Sequence, residues 1–332
     1  MPEPIMPVSK SRIEVRAAAR AEAKPEARLE RTLARLSADE IVAALRLARA
    51  PRAVRAGLRA AFDAVSRPLG RTLARFDGRV ASLGPAAAAA AALADLGATW
   101  TRTGPALPSS GPVLVVANHP GAYDALVLLA ASARDDVAVI AADRVFLRAM
   151  PSFRRHLVFV PEGPAAAAAA RAHGLRRARA HLKSGGALVQ FGAGRIEPDP
   201  AFPVPPGVAR LARWEAGTAA LVRGAAAGGG SVVAALVEGV HSARAKDAWL
   251  SRVAERRGVT TLAPLLQVAL RRYRDVAATV HFAEAVPAVT LAGSTDDAAL
   301  AAALRDRALA LWPAAREDER STERGDRFVP PR

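Results

Sequence analysis

Residues 114–126 read LVVANHPGAYDAL. The apolar run Leu114–Ala117, extended back to Val113, has the β-branched texture of a buried strand. It ends in Asn118, His119, Pro120 and Gly121, and Asp124 then opens the apolar stretch DALVLLAAS, which reads as a helix. Strand, tight turn and helix form the repeating unit of an α/β sheet. His119 and Asp124 are five residues apart, so they share no face of a regular helix and meet only across a turn. Pro120 and Gly121 supply that turn. Asp124 then lies near a helix N-terminus, where the positive end of the dipole favours the ionised carboxylate. A carboxylate accepting from one ring nitrogen fixes the imidazole tautomer and leaves the other nitrogen to take a proton. This makes a general-base pair without a nucleophile of its own, so the attacking hydroxyl or amine has to come from a substrate. A structural histidine beside a capping aspartate is the alternative, and in a chain with six histidines H-x4-D is a weak signal by itself.

Outward from this stretch the pattern repeats. ATWTRTG reads as a strand before it. After it come the strand DVAVIAAD (136–143), a short helix RVFLRAM and the strand HLVFVP (156–161). A long helix through AAAAAARAHGLRRARAHLK is stopped by Gly185 and Gly186. The strand ALVQF (187–191), a polar loop and the strand SVVAALVEG (231–239) follow. Two more helices, a last strand DVAATVHFAEAV (275–286) and a closing helix near 297–311 complete the series. The expected fold is α/β, a mixed, largely parallel sheet flanked by helices and preceded by an N-terminal basic helical region.

That N-terminal region divides further. Residues 1–36 carry charges of both signs with few large apolar groups and read as a mobile charged arm or a loosely held helix. Ser37 and Glu40 form a capping-box pattern that starts a helix. From there to 97, Ile41, Leu45, Val54, Leu58, Phe62 and Val65 recur at helical spacing, with arginines on another side and a break at Pro51. Across 41–80 nine arginines face only Asp63 and Asp77. A basic amphipathic stretch of this kind suits an anionic bilayer surface; a solvated helix face is the plainer reading. Residues 98–312 are the α/β domain, and 313–332 read as a disordered charged tail.

The formal charge is +16, from 47 basic and 31 acidic residues. Such a balance seeks anionic partners. Nucleic acid is not expected, because there is no groove-reading signature and aromatics make up only 5% of the chain. With no cysteine, thiol nucleophiles and Cys-based metal sites are excluded, and no histidine–carboxylate spacing suits a metal. The N-terminal stretch lacks an apolar core of the secretory type, and no apolar run of about 18 residues appears outside alanine tracts. The expected location is cytoplasmic, peripheral on the inner face of the cell membrane.

GPVLVVANHPGAYDALVL (111–128) resembles the first block of the glycerolipid acyltransferases, the lysophosphatidate acyltransferase superfamily, whose signature is NH-x4-D after a buried strand. FVPEG lies where the second block falls, LVQFGAGRIEPDP (188–200) is similar to the third, and SVVAALVEG to the fourth. The resemblance implies transfer of a fatty acyl group from a thioester, on CoA or acyl carrier protein, to a hydroxyl of a lysophospholipid-like lipid. No cofactor beyond that co-substrate is implied. His119 would be the general base and Asp124 its orienting carboxylate. Asn118, Gly121, Gly192, Gly194 and Arg195 are the candidate substrate contacts, with backbone N–H groups from Gly192 to Arg195 facing an oxyanion or a phosphate. Glu197 and Asp199 are expected to be solvated or to contact a polar head group. A lipid- or membrane-binding protein with an idle site is the alternative. The third block departs from the family's F-P-E-G-T-R: Ala193 stands where the glutamate is expected, and Arg195 comes one residue early. Glu162 replaces the second block's arginine, with Arg154 and Arg155 close by, and the fourth block lacks its proline. These departures point to an altered acceptor.

Overall fold

The computed structural model describes residues 26–40, 52–161, 168–204, 206–256 and 262–312. The chain divides into two compact units after Ala74. In the first, helix α1 (26–40) buries Leu33 and Ala34. A Cβ on Gly70 would stand 2.6 Å from the backbone of Glu30 and Ala34, so glycine lets the two helical backbones of this unit touch. Residues 26–36 take the helical of the two readings. One expectation changes here: Ser37 lies buried inside α1 instead of starting a helix. The arginine-rich stretch 41–51 with Pro51, residues 1–25 and the tail 313–332 lie outside the described residues.

Helix α2 (Arg52–Asp95) passes through the division. Residues 37–97 are therefore not one module, since 75–97 belong with the sheet. Gly84 breaks α2 with φ 79 and ψ 166, and Pro85 begins its second run, where a missing N–H costs nothing.

Among the described residues the second unit is built on eight strands: β1 (Thr99–Thr103), β2 (Val113–Ala117), β3 (Val137–Ala142), β4 (Leu157–Val160), β5 (Ala187–Phe191), β6 (Ser231–Glu238), β7 (Ala277–Phe282) and β8 (Val286–Pro287). Their order is β1-β7-β6-β2-β5-β3-β4, with β8 also on β6. β6, β2, β5, β3 and β4 run parallel; β7 and β8 are antiparallel to β6, and β1 is parallel to β7. All five residues of β2 are buried, as a central strand covered on both faces requires. Helix α3 (Asp124–Ser132) connects β2 to β3, and α4 (Val145–Arg148) with a 3-10 turn (Phe153–His156) leads to β4. Helices α5 (Ala168–Lys183) and α6 (Thr218–Ala227) follow β4 and β5, and α7 (Ala243–Asp247), α8 (Trp249–Arg256) and α9 (Leu262–Ala269) follow β6. The chain closes with α10 (Ala288–Ala292) and α11 (Asp297–Leu309). Leu114 and Val116 of β2 join Leu182 of α5, Val222 of α6, Leu304 of α11 and Trp214 in one buried cluster.

The sheet is α/β, mixed and mostly parallel, as the strand–helix alternation indicates. Three local readings differ. The loop before β6 contains α6, hidden in the sequence by Gly217 and an alanine-glycine run after it. Among the described residues the stretch after β6 holds three short helices rather than two, and the single last strand is split into β7 and β8.

The topology fixes where a ligand can sit. β2 and β5 are neighbours, but the chain leaves β2 toward β3 and leaves β5 toward β6, in opposite directions across the sheet. Such a switch point opens a crevice beyond the carboxyl ends of the two strands.

Candidate active site

The residues that follow β2, β5 and β6 meet at this end of the sheet. Asn118 comes first and is fully buried. Its Nδ2 donates to the Val237 carbonyl at 2.9 Å, and its Oδ1 accepts the Val237 N–H at 2.7 Å. The amide copies a peptide group and extends the β2–β6 ladder past the end of β2. With both polar ends engaged in this pairing, Asn118 fixes the strand end just ahead of His119.

His119 is the next residue. Gly121 and Ala122 take consecutive positive φ values of 91 and 53, and this left-handed turn brings Asp124 back beneath the imidazole. His119 Nδ1–H donates to Asp124 Oδ2 at 2.7 Å. The same oxygen accepts the Gly121 N–H at 2.7 Å, and Oδ1 accepts the Ala125 N–H at 2.6 Å. Asp124 is the first residue of α3, so the helix dipole also faces its carboxylate. Its side chain is 3% exposed and that of His119 27%. The ring stacks on Phe191 at the end of β5, 4.1 Å between centroids. With Nδ1 committed to Asp124, Nε2 is the nitrogen left for a substrate proton.

Burial is the strongest single influence on the His119 pKa and lowers it. The hydrogen bond and charge of Asp124, joined by the charge of Glu197, outweigh it and raise the value above 6.5. Glu197 is itself pushed above the ordinary glutamate value by burial, against the N–H groups of Ala212 and His119, the Trp214 indole and the His119 charge.

The segment after β5 supports this pair. Glu197 Oε2 accepts the His119 N–H at 3.0 Å, while the Glu197 N–H donates to the His119 carbonyl at 2.8 Å. Its other oxygen takes the Ala212 N–H at 2.8 Å and the Trp214 Nε1–H at 3.3 Å. Asp199 accepts from the N–H groups of Gly239 (2.7 Å), Ala201 (3.1 Å) and His241 (3.1 Å), tying the β5 loop to the end of β6. His241 Nε2–H then reaches the Pro120 carbonyl at 2.8 Å. Glu197 and Asp199 are each 4% exposed, so they are neither solvated nor free to meet a head group. They are internal struts, which corrects the sequence reading. Their signal was present as two carboxylates beside prolines in RIEPDP, but nothing local shows which way they face. His241 is the third strut.

The other expected contacts separate. Gly121 is buried in the His119 turn. The Gly192 N–H is taken by the Ala117 carbonyl at 2.9 Å and the Gly194 N–H by that of Phe191 at 3.1 Å, so neither backbone donor is available for an oxyanion or a phosphate. Gly192 instead makes room, since a Cβ there would stand 2.2 Å from the Trp214 ring. Arg195 is exposed at the rim. Ile196 beside it turns its Cδ1 to 3.1 Å from where a Cβ on Gly121 would lie. Arg154 and Arg155 are exposed on the 3-10 turn before β4, and Glu162 lies outside the described residues. Among the described residues no group of three or more His, Cys, Asp or Glu side chains is placed to hold a metal ion. No helix among them is long and apolar enough to cross a membrane.

Residues 102–237 match the family model for acyltransferases. This stretch is similar to an acyltransferase domain. It runs from β1 to the end of β6 and contains His119, Asp124, Glu197 and Asp199, the same residues on which the glycerolipid acyltransferase blocks fall. Among solved structures, the chain is similar to the crystal structure of PlsC, the 1-acyl-sn-glycerophosphate (LPA) acyltransferase from Thermotoga maritima. Identity is 16% and the TM-score 0.41, over 72% of this chain and 78% of that one. No curated protein matches the sequence.

Proposed function

We propose that the acyltransferase domain moves a fatty acyl group from a thioester, carried by CoA or acyl carrier protein, to the hydroxyl of a lysophospholipid-like acceptor at a membrane surface. The observation that carries this reading is the 2.7 Å contact of His119 Nδ1 with Asp124, which leaves Nε2 as the base at the mouth of the crevice. His119 Nε2 removes the acceptor's hydroxyl proton as the oxygen attacks the thioester carbonyl. A C–O bond forms and the C–S bond breaks. The proton then passes from the imidazolium to the departing thiolate, so an ester and a free thiol leave the site. Asp124 holds the tautomer and stabilises the imidazolium, and no acyl-enzyme forms. Arg195, exposed at the rim, meets the acceptor's anionic head group. The enzyme works at the inner face of the cytoplasmic membrane.

One observation favours a second reading, a lipid-binding protein with an idle site. The N–H groups of Gly192 and Gly194 are spent within the protein, so the third block offers fewer donors to a developing oxyanion. Thiol release from acyl-CoA and acyl carrier protein thioesters, measured with a panel of lysolipid acceptors, decides between them. Release that requires acceptor and is lost in His119→Ala supports the transferase. No release with any donor and acceptor supports the idle site.

A further inference from the structure

Eight large hydrophobic side chains stand exposed among the described residues. Leu83 is on α2 and Val289 on α10. The other six, Val145, Ile196, Val208, Trp249, Leu250 and Val253, all lie in the connections that leave the carboxyl ends of β3, β5 and β6. His119 leaves the same end of β2. Isolated exposed apolar side chains are ordinary, but six of eight on the connections from one end of a sheet are not scattered.

The concentration is greatest on α8. Trp249 is 67% exposed, Leu250 44% and Val253 36%, while Ser251 between them is buried. The helix packs on α7 and α9 and leaves this apolar side without a partner among the described residues. It also follows the site closely. His241, bonded to the Pro120 carbonyl, is succeeded by Ser242, whose hydroxyl caps α7, and α7 leads into α8. On the β5 connection, Ile196 is 63% exposed and lies against Gly121 of the His119 turn.

Charge selects the occupant. In the RIEPDP segment the two carboxylates, Glu197 and Asp199, turn inward, while Arg195 turns out. Residues Ala243–Arg256 carry four basic side chains against two acidic ones. Lys246 lies over the Phe202 ring at 3.8 Å, which joins α7 to the β5 connection, and Arg252 is exposed between Leu250 and Val253. Apolar side chains interleaved with cations, led by an exposed tryptophan, match the head-group region of an anionic bilayer: tryptophan settles at the interface and cations meet the phosphates.

We infer that the site end of the sheet docks on an anionic phospholipid surface through α8, with Trp249 and Leu250 inserted at head-group depth and Ile196 at the rim of the His119 crevice. This surface differs from the basic helical region 37–97 expected from the sequence. Delivery of a lipid from the bilayer to His119 rests on the proposed transfer reaction; docking itself is read without turnover.

The test uses the full chain with vesicles of phosphatidylglycerol, vesicles of phosphatidylcholine, and phosphatidylglycerol brominated on its acyl chains. Trp214 and Trp312 are buried and Trp100 is half-buried, so Trp249, 67% exposed, is the tryptophan most open to quenching. Brominated phosphatidylglycerol is expected to quench wild-type fluorescence, and Trp249→Phe is expected to remove most of that quenching. The Trp249→Ser/Leu250→Ser variant is expected to sediment with phosphatidylglycerol vesicles about tenfold more weakly. Its thiol release should fall with a bilayer-embedded acceptor and stay at the wild-type level with a short-chain acceptor dissolved as monomers. Quenching that persists in Trp249→Phe, or unchanged sedimentation of the double variant, overturns the docking surface, as does a wild type that ignores phosphatidylglycerol. The quenching measurement on wild type stands even if the double variant misfolds. Docking through Trp249 without turnover on any acceptor would instead refute the transferase reading and leave the surface in place.

Discussion

The backbone of His119 is held from both sides by one residue: Glu197 accepts its N–H at 3.0 Å and donates its own N–H to its carbonyl at 2.8 Å. A strand-like exchange between a catalytic candidate and a buried carboxylate fixes the imidazole's base as firmly as Asp124 fixes its ring. The His119 contacts thus come from three connections, those after β2, β5 and, through His241 and Pro120, β6.

His119→Ala removes the nitrogen proposed to take the proton and is expected to lower acceptor-dependent thiol release by about a hundred- to ten-thousandfold. Asp124→Asn should lower it by a comparable factor, since an amide can hold the wrong tautomer. Retention of the wild-type melting temperature in His119→Ala would place the loss in the chemistry. Full activity in either variant would refute the general-base role.

The pH dependence follows from the raised pKa of His119. The base must be neutral, so kcat/KM should rise with pH through a value above 6.5. Glu197→Gln removes a negative charge that holds the imidazole proton, and its acid limb should move to lower pH with kcat reduced. Asp124→Asn should move it further in the same direction, because burial, the one lowering influence, is left less opposed. Linkage gives the matching sign for stability. The folded value lies above the unfolded one, so the protonated ring's contribution is full below about 6.5 and is lost as pH rises through the folded value. The stability gap between wild type and His119→Ala should narrow accordingly in urea titrations across that range.

Gly192→Ala would place a methyl group 2.2 Å from the Trp214 ring. The indole must move, and its Nε1–H bond to Glu197 goes with it. A loss of about 1–3 kcal/mol is expected from overpacking, together with reduced turnover. Gly217→Ala is the contrast: φ is −56 and nothing lies within 4 Å of the new Cβ, so a gain of about 0.4–1 kcal/mol is expected. Thermal melts of the two variants should shift in opposite directions.

Arg134 supports the sheet away from the site. Its guanidinium is almost fully buried and donates to both oxygens of Asp136 at 2.7 and 2.6 Å, to the Pro108 carbonyl at 2.8 Å and to the Gly185 carbonyl at 3.0 Å. Arg134→Leu strands two carbonyls and is expected to cost about 2–3 kcal/mol with the mechanism of the site intact. The hydrogen bond from Arg134 also holds the Asp136 carboxyl below its ordinary 3.8. The stability it lends is present above 3.8 and is lost as pH falls through the folded value, a loss that Arg134→Leu should no longer show in acid titrations.

The parts of this fold legible in the sequence are those where local pattern and tertiary role coincide. β2 is a run of aliphatic residues because it is covered on both faces, and the His119–Asp124 contact is legible because only a turn can join residues five apart. α6 was hidden because alanine and glycine carry little periodic signal, and its burial comes from Leu221 and Val222 meeting a distant α11. Glu197 and Asp199 were misjudged for a related reason. A carboxylate in a proline-flanked loop is normally solvated, and these two are buried because N–H groups brought from β2, β6 and the strand-free segment near Ala212 converge on them. Ser37 shows the reverse case, a well-formed capping pattern overridden by the packing of the helix around it.

The side-chain amide of Asn118 has a consequence for motion. Because it pairs with Val237 as a peptide group would, the residue before His119 is clamped to a buried central strand, and freeing it requires breaking a contact that no solvent reaches. The Val237 amide proton should exchange with deuterium only at the rate of global unfolding, while N–H groups in the exposed connections exchange much sooner. His119 would therefore keep its aim through every fluctuation short of melting, and heat would end the proposed transfer by unfolding the chain rather than by first loosening this end of the sheet.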